Sequence, residues 1–349
     1  ISRYEGNNLN ILGVETSCDE TAVAVVEDGR HIRSNIVASQ AELHAQYGGI
    51  VPEVASRQHL TTIVPVIQQA LQKSSLSLGE LDGIAVTNGP GLAGSLLIGV
   101  NAAKGLALAE ELPLIGINHL EGHLYAAWLE DSDPENSPGF PLLCLIASGG
   151  HTDLILMKGH GDYKLVGRTR DDAAGEAFDK AARILRLGFP GGPAIQKSAE
   201  SSTSTDQKFP RPRVKDSLDF SFSGLKTALL RRAEERGWYP PKEGSDLDPT
   251  EVANMAAAFQ DAIVDYLITR TIEASEKYRV RGIILGGGVT ANQSLRQNIE
   301  IRSKIPVTIP RPGLCTDNGA MIGAAGWFHL RLGQEYQWSM DINPRLRLG

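Results

Sequence analysis

Long apolar runs are missing from this 349-residue chain. None approaches the roughly 20 consecutive apolar residues that a membrane-spanning helix needs. Cysteine is scarce as well. Cys18, Cys144 and Cys315 are odd in number and share no metal-type spacing, which argues against a disulfide framework and fits a reducing compartment. Positive charge is also in short supply: Lys and Arg number 34 against 41 Asp and Glu, a formal net charge of −7. The chain therefore has no general attraction for nucleic acid, and an RNA substrate needs a local basic patch or a partner subunit. Arg211, Arg213 and Lys215, the pair Arg231 and Arg232, and Arg345 with Arg347 are the candidates. Each taken alone reads more readily as a solvated surface charge.

What remains is an ordinary α/β composition, 42% hydrophobic with 37 glycines. The length favours two domains. The opening reads as three strands, 9–14, 21–26 and 31–39, with a polar turn at Glu15–Glu20. A helix is expected from Pro52, with Leu60, Ile63, Val64, Ile67 and Leu71 as its apolar positions and Pro65 inside it. A strand at 81–87, a small-residue helix at 93–110 and a short strand at 114–117 follow. The stretch 131–141, with Pro134 and Pro138, reads as a linker. After it the plan restarts: a strand at 142–147, a Ser-Gly-Gly-His turn, two more strands, helices, and a strand at 281–285 entering Gly286-Gly287-Gly288. A final helix is expected at 318–332. The expected lobes are 1–136 with 319–349, and 137–318.

Four constellations carry chemistry. Asn118-His119-Leu120-Glu121-Gly122-His123 places two imidazoles four residues apart, on one face of a helix that turns about 100° per residue. Such a pair can hold a divalent ion when other ligands join it, although two ordinary polar helix residues share the spacing. The turn Glu15–Thr21 packs hydroxyls beside Asp19 and Glu20, a place for anion binding or proton transfer and equally the tip of a plain hairpin. Ala147-Ser148-Gly149-Gly150-His151 lets backbone approach a phosphate where no Cβ intervenes. The glycine triplet ending at Gly288, followed by Asn292, offers a flat backbone and an amide to a base or ribose. Asp317, just before the last helix, is by position an N-cap. It is equally a third ligand for His119 and His123, and two His with one Asp leave coordination positions open for substrate or water.

The repeated plan is that of the actin, sugar kinase and Hsp70 ATPase superfamily, with a βββαβα arrangement in each lobe and a central nucleotide cleft. Within it the chain resembles the TsaD family, catalytic subunits of tRNA threonylcarbamoyladenosine synthesis, in its bacterial and organellar branch. The matching runs begin at Val14-Glu15-Thr16-Ser17-Cys18-Asp19-Glu20-Thr21, Asn118 to His123, and Ser148 to His151. They continue through Asp171 to Lys180, Pro190-Gly191-Gly192-Pro193, Asp219 to Lys226, Gly287 to Asn292, and Cys315 to Gly319. The resemblance implies a transferase that moves the threonylcarbamoyl group from its adenylate to N6 of the adenosine beside the anticodon in tRNAs reading ANN codons. By motif, His119, His123 and Asp317 would hold iron or zinc. Ile146, Ala147, Ser148, Gly149, Gly150, Asp179, Gly192 and Asn292 would line the adenylate, with ATP or ADP binding in the same cleft. Asp19 and Glu20 would lie near the reacting carbonyl. Gln196 departs from the Asp that relatives often carry there, the position of an expected ribose contact.

The resemblance also implies TsaB- and TsaE-like partner subunits in a bacterium, or a homodimer in an organelle, and tRNA as the macromolecular substrate. The location implied is the bacterial cytoplasm, or a mitochondrion or plastid if a transit peptide has been removed. Two other readings compete. One is a zinc endopeptidase, because His119 to His123 superficially resembles a protease motif. There, however, the Glu directly follows the first His, whereas Glu121 lies roughly 200° around the helix from His119. The other is a non-catalytic nucleotide-binding protein of the same superfamily, for which the His pair has no use.

Overall fold

The computed structural model describes residues 8–130, 132–204, 207–211, 214, 216–241, 247–334 and 339–349. The basic candidates Arg213 and Lys215 lie outside the described residues. In chain order the elements are β1 (Asn10–Glu15), β2 (Glu20–Glu27), β3 (His31–Ser39), α1 (Ala41–Ala45), α2 (Pro52–Ser74), β4 (Gly83–Gly89), α3 (Ala93–Ala109), β5 (Leu114–Asn118) and α4 (His119–Tyr125). There follow β6 (Leu142–Ala147), β7 (Thr152–Gly159), β8 (Asp162–Arg168), α5 (Ala174–Ile184), α6 (Gly191–Ala199), α7 (Ser223–Glu235) and α8 (Pro249–Tyr278). The series closes with β9 (Gly282–Gly286), α9 (Gln293–Arg302), β10 (Val307–Thr308), α10 (Pro312–Cys315) and α11 (Gly319–Arg331).

The strands form two sheets, ordered β3-β2-β1-β4-β5 and β8-β7-β6-β9-β10. In each, the first strand of the half is central: antiparallel to the second strand and parallel to the fourth. The expected duplication is therefore present as topology. β1 and β6 are buried along their whole length, as strands covered on both faces must be. The first core gathers Leu12, Val14, Val23, Val25, Ile84 and Val86 from the sheet with Ile63 and Ile67 of α2. The second gathers Leu143, Leu145, Leu154 and Leu285 with Phe178, Phe259 and Leu267.

Two compact units result. One comprises Ile1–Ser137, Gly159–Tyr163 and Pro310–Gly349, and the other comprises Pro138–Lys158 and Lys164–Ile309. This corrects the expected lobe 137–318, which had Asp317 in the second half. The chain leaves the second sheet after β10, and α11 lies flat on β1 because its contact points are glycines. A Cβ on Gly13 would stand 2.2 Å from the Gly319 carbonyl oxygen and 2.3 Å from the Gly323 nitrogen. The segment carrying Asp317 thus packs with the unit that carries the histidines.

The apolar pattern of α2 also needs correction. Ile63 and Ile67 are buried, but Leu60 and Val64 are 64% and 56% exposed. The buried stripe runs through Ala55, His59, Ile63, Val66, Ile67 and Ala70, so a polar residue, His59, takes a core position. Among the described residues no helix is long and apolar enough to cross a membrane.

Candidate metal and nucleotide sites

β5 runs without a loop into α4, and every residue of that helix is buried. Asn118 caps it, its Oδ1 accepting from the Leu120 amide at 2.9 Å, while its Nδ2 donates to the Arg347 carbonyl at 3.1 Å. Gly122 allows α11 to approach: a Cβ there would lie 2.7 Å from Ile322 Cδ1. At the start of α11 the N-cap is Asn318, whose Oδ1 accepts from the Met321 amide at 3.0 Å. The capping role foreseen for Asp317 therefore belongs to its neighbour, and the Asp317 carboxylate turns to the imidazoles.

Its Oδ1 stands 3.2 Å from His123 Nε2 and 3.6 Å from His119 Nε2. The three residues each offer a ligand atom within 4.8 Å of the others. Ligands bound about 2.1 Å from one ion sit about 3.0–3.4 Å from their neighbours, so the set fits a divalent metal. A second observation agrees. Neither ring nitrogen of buried His123 has a hydrogen-bond partner, and its Nε2 simply faces the carboxylate. A cation shared by Nε2 and the carboxylate would satisfy that nitrogen and the acid together. Two imidazoles and one carboxylate suit iron or zinc alike.

Electrostatics point the same way. Burial pulls the His119 pKa down, but Asp317 and Glu15 outweigh it and raise it to about 9. Burial and then the charges of Asp317 and Asp19 push Glu20 up to about 10, and Ser39 Oγ donates to its Oε1 at 3.1 Å. Burial, Asp19 and Asp317 also raise the Cys18 thiol. The structure thus brings Asp19 and Glu20 into the same negative field as Asp317, a field a divalent cation would relieve. Glu121 takes no part. On the opposite face of α4 it accepts from Tyr163 Oη at 2.6 Å and pairs with His329 Nε2 at 2.9 Å. That placement removes the general base a His-Glu-x-x-His protease requires.

Within the second unit, the remaining candidates gather at the C-terminal ends of β6 and β9, where open α/β sheets bind ligands. The Ser148 amide donates to the His151 carbonyl at 2.8 Å, closing the turn, and Gly149 and Gly150 stand exposed. Gly287, at φ +90°, lies so close that a Cβ would meet the Ala147 oxygen at 2.5 Å. Gly175, opening α5, packs equally tightly on the Ser148 oxygen, at 2.6 Å. Farther along α5, Asp179 Oδ1 accepts from the Gly191 amide at 2.7 Å, tying α5 to the start of α6 beside Gly192.

Not every candidate keeps its expected role. Ile146 and Ala147 are fully buried, so they offer backbone only. The amide of Asn292 is engaged: Oδ1 caps α9 through the Leu295 amide at 3.0 Å, and Nδ2 donates to Gln260 at 2.8 Å. Gln196 holds the start of α9, its Oε1 accepting from the Gln293 amide at 2.9 Å. Of the basic candidates, Arg211 pairs with Asp265 at 3.1 Å, and Arg232 stacks on Phe209 at 4.3 Å. Sequence reasoning passed over Glu15 and Thr87, which stand behind His119, and His59, which grips the first turn. The one available signal for Glu15 was an acidic residue ending an otherwise apolar strand.

Comparison with known proteins bears on this geometry. Residues 31–324 match the family model TsaD, described as tRNA N6-adenosine threonylcarbamoyltransferase. A protein of that name from Dehalococcoides mccartyi is 53% identical over 338 residues, covering 97% of this chain and 99% of that one. Another, from Thermomicrobium roseum, is 52% identical, covering 97% of this chain and 96% of its own. Among solved structures, HypF of T. kodakarensis superposes with a TM-score of 0.60 at 15% identity, over 95% of this chain and 49% of that one. Component A of (R)-2-hydroxyglutaryl-CoA dehydratase from Acidaminococcus fermentans gives 0.52 at 13% identity, over 93% of this chain and 99% of that chain. At those identities the likeness is one of fold alone.

Proposed function

The chain belongs to the TsaD family of tRNA N6-adenosine threonylcarbamoyltransferases, and on that premise we propose how its residues divide the work. It is an acyltransferase that modifies adenosine in tRNA to N6-threonylcarbamoyladenosine. We take the donor to be the threonylcarbamoyl adenylate and the acceptor to be the adenosine beside the anticodon of ANN-decoding tRNAs. The donor is a mixed carboxyl–phosphate anhydride, activated already, so the protein's task is to position it and to stabilise developing charge.

In this reading His119, His123 and Asp317 hold one iron or zinc ion, and Nε2 of buried His123, without a hydrogen bond yet 3.2 Å from the Asp317 carboxylate, is the observation that carries it. When bound, the ion supplies a Lewis acid for phosphate or carbonyl oxygens of the donor. The exposed Gly149-Gly150 backbone receives the donor's phosphate, supported by Asp179 and Gly192 at the α5–α6 junction. Asp19 orients the attacking amine and accepts its proton. Glu20, held neutral by burial and by Asp317, has an O–H to donate beside it.

Partners belong to the same proposal. α2 and α3 lie side by side, and Leu60, Val64, Leu97 and Leu108 are exposed on them. Since the relatives are bacterial, we assign that face to a TsaB-like subunit, with a TsaE-like subunit completing the system in the cytoplasm.

The test measures labelled threonine transferred to tRNA by wild type, Asp19→Asn, His123→Ala and Asp317→Ala, with metal content and adenylate affinity read in parallel. Asp19→Asn should abolish transfer while keeping both metal and adenylate. His123→Ala and Asp317→Ala should lose metal and activity together. Full transfer by a metal-free Asp317→Ala protein would end the metal assignment, and a fully active Asp19→Asn protein would end the assignment of the base.

A further inference from the structure

Glu15 closes β1 and is completely buried, yet it is an acid in a strand that otherwise reads as core. Three donors converge on its two oxygens. The Ser17 amide donates to Oε1. Thr87 Oγ1 donates to Oε2 at 2.6 Å, and His119 Nδ1 lies 3.0 Å from that same oxygen. An ionised carboxylate only accepts, so Nδ1 must carry the proton; an Nδ1 lone pair at 3.0 Å from the carboxylate would be repelled. Ser17 Oγ, 3.1 Å from the same nitrogen, lies beside this bond. With Nδ1 protonated, the lone pair of a neutral His119 is on Nε2, the nitrogen that faces Asp317.

We infer that Glu15 is a positioning residue: one buried carboxylate fixes His119 as an Nε2 ligand and, through the Ser17 amide, sets the first turn at the same time. The inference rests on the reading that His119, His123 and Asp317 hold an ion. Carboxylates behind ligating imidazoles fix the ring and raise its basicity, and removing them typically costs about 10–100-fold in metal affinity. What is particular here is the sharing. Oε2 orients His119, while Oε1 of the same carboxylate holds the backbone two residues on, at the start of the segment carrying Asp19 and Glu20. Metal affinity and turn geometry should therefore change together.

A merely structural buried acid would affect folding alone, so the test reads the ion directly. Zinc affinity is measured by chelator competition for wild type, Glu15→Gln, Thr87→Val and His123→Ala, with thermal unfolding alongside. In zinc-loaded wild type, nitrogen–proton correlation spectra should show His119 protonated at Nδ1 and metallated at Nε2. Glu15→Gln puts an amide NH2 against a donor and should weaken zinc binding about 10–100-fold. Thr87→Val keeps the side chain's shape, removes one donor and should shift affinity the same way by less, which carries the test if Glu15→Gln fails to fold. Unchanged affinity in a folded Glu15→Gln protein, or zinc on Nδ1 of His119, overturns the inference while leaving the metal centre intact. Wild type without zinc uptake, or a His123→Ala protein that binds as wild type does, overturns the centre itself and this inference with it.

Discussion

Asp153 on β7 faces Ile146 in register and is only 7% exposed. Burial pushes its pKa up to about 6, with the Arg168 charge opposing. Unfolded, the same carboxyl titrates near 4. Between those values the native state holds a proton that the unfolded chain has released, so stability falls as pH rises from about 4 through about 6. Asp153→Asn removes the charge and its cost. It should unfold at higher denaturant than wild type at pH 8, by on the order of 2 kcal/mol, with the gap closing below pH 4. Denaturant titrations at three pH values check this, and a gap independent of pH would refute it. Glu15 is the opposite case, for its three donors make burial tolerable. Burial raises its pKa, but the charge and hydrogen bond of His119 more than reverse that, and the net shift is downward. Neither state was legible in the sequence. The partners of Glu15 lie 72 and 104 positions along the chain, and Asp153 is set by what a strand's register buries.

Helix α2 shows how one element serves two faces. Outward it exposes Leu60 and Val64; inward His59 is fully buried and reaches the first turn. Its Nε2 donates to the Cys18 carbonyl at 2.9 Å, and its Nδ1 accepts from Thr21 Oγ1 at 2.7 Å. Burial lowers the His59 pKa, consistent with a neutral ring that donates from one nitrogen and accepts at the other. The residues it fastens flank Asp19 and Glu20, while the proposed metal ligands lie on α4 and before α11. His59→Ala should therefore keep its metal but lose roughly 10–100-fold in transfer rate, mainly in kcat, because the turn loosens. Parallel metal analysis and steady-state kinetics decide it, and an unchanged kcat would show that the clamp is only structural. The helix itself was readable from spacing and its Pro at the start. Its faces were not, because periodicity marks an apolar stripe without saying where it ends, and a histidine that meets two polar partners competes successfully for the core. The same limit applied to Asn292: the sequence placed an amide beside the glycine triplet, while the fold spends it on capping α9.

At the scale of the whole molecule, the duplication was legible because each half announces itself by three strands, a polar turn and a glycine-rich return. The place of 310–318 was not: the return of 319–349 to the first lobe was expected, but only the fold shows that the stretch carrying Asp317 goes with it. That assignment has a consequence. All three candidate metal ligands and Glu15 lie in the first unit, whereas the proposed adenylate residues Ser148 to Gly150, Asp179 and Gly192 lie in the second. Metal and adenylate determinants should then be separable by mutation. Gly150 is the informative position. Gly287, at positive φ, and Gly175, against a carbonyl oxygen, are glycines the fold itself demands. A Cβ on Gly150 would meet nothing within 4 Å, and no left-handed backbone requires glycine there. Gly150→Val should accordingly unfold within about 0.5 kcal/mol of wild type. If a phosphate rests on that backbone, the branched side chain occupies its place, and affinity for an adenylate analogue should fall at least tenfold, about 1.4 kcal/mol, with metal affinity unchanged. His123→Ala should show the reverse pattern, losing metal while still binding adenosine monophosphate. Calorimetric titration of both variants with both ligands measures all four affinities. A Gly150→Val protein that binds the analogue as wild type does would move the adenylate off this turn.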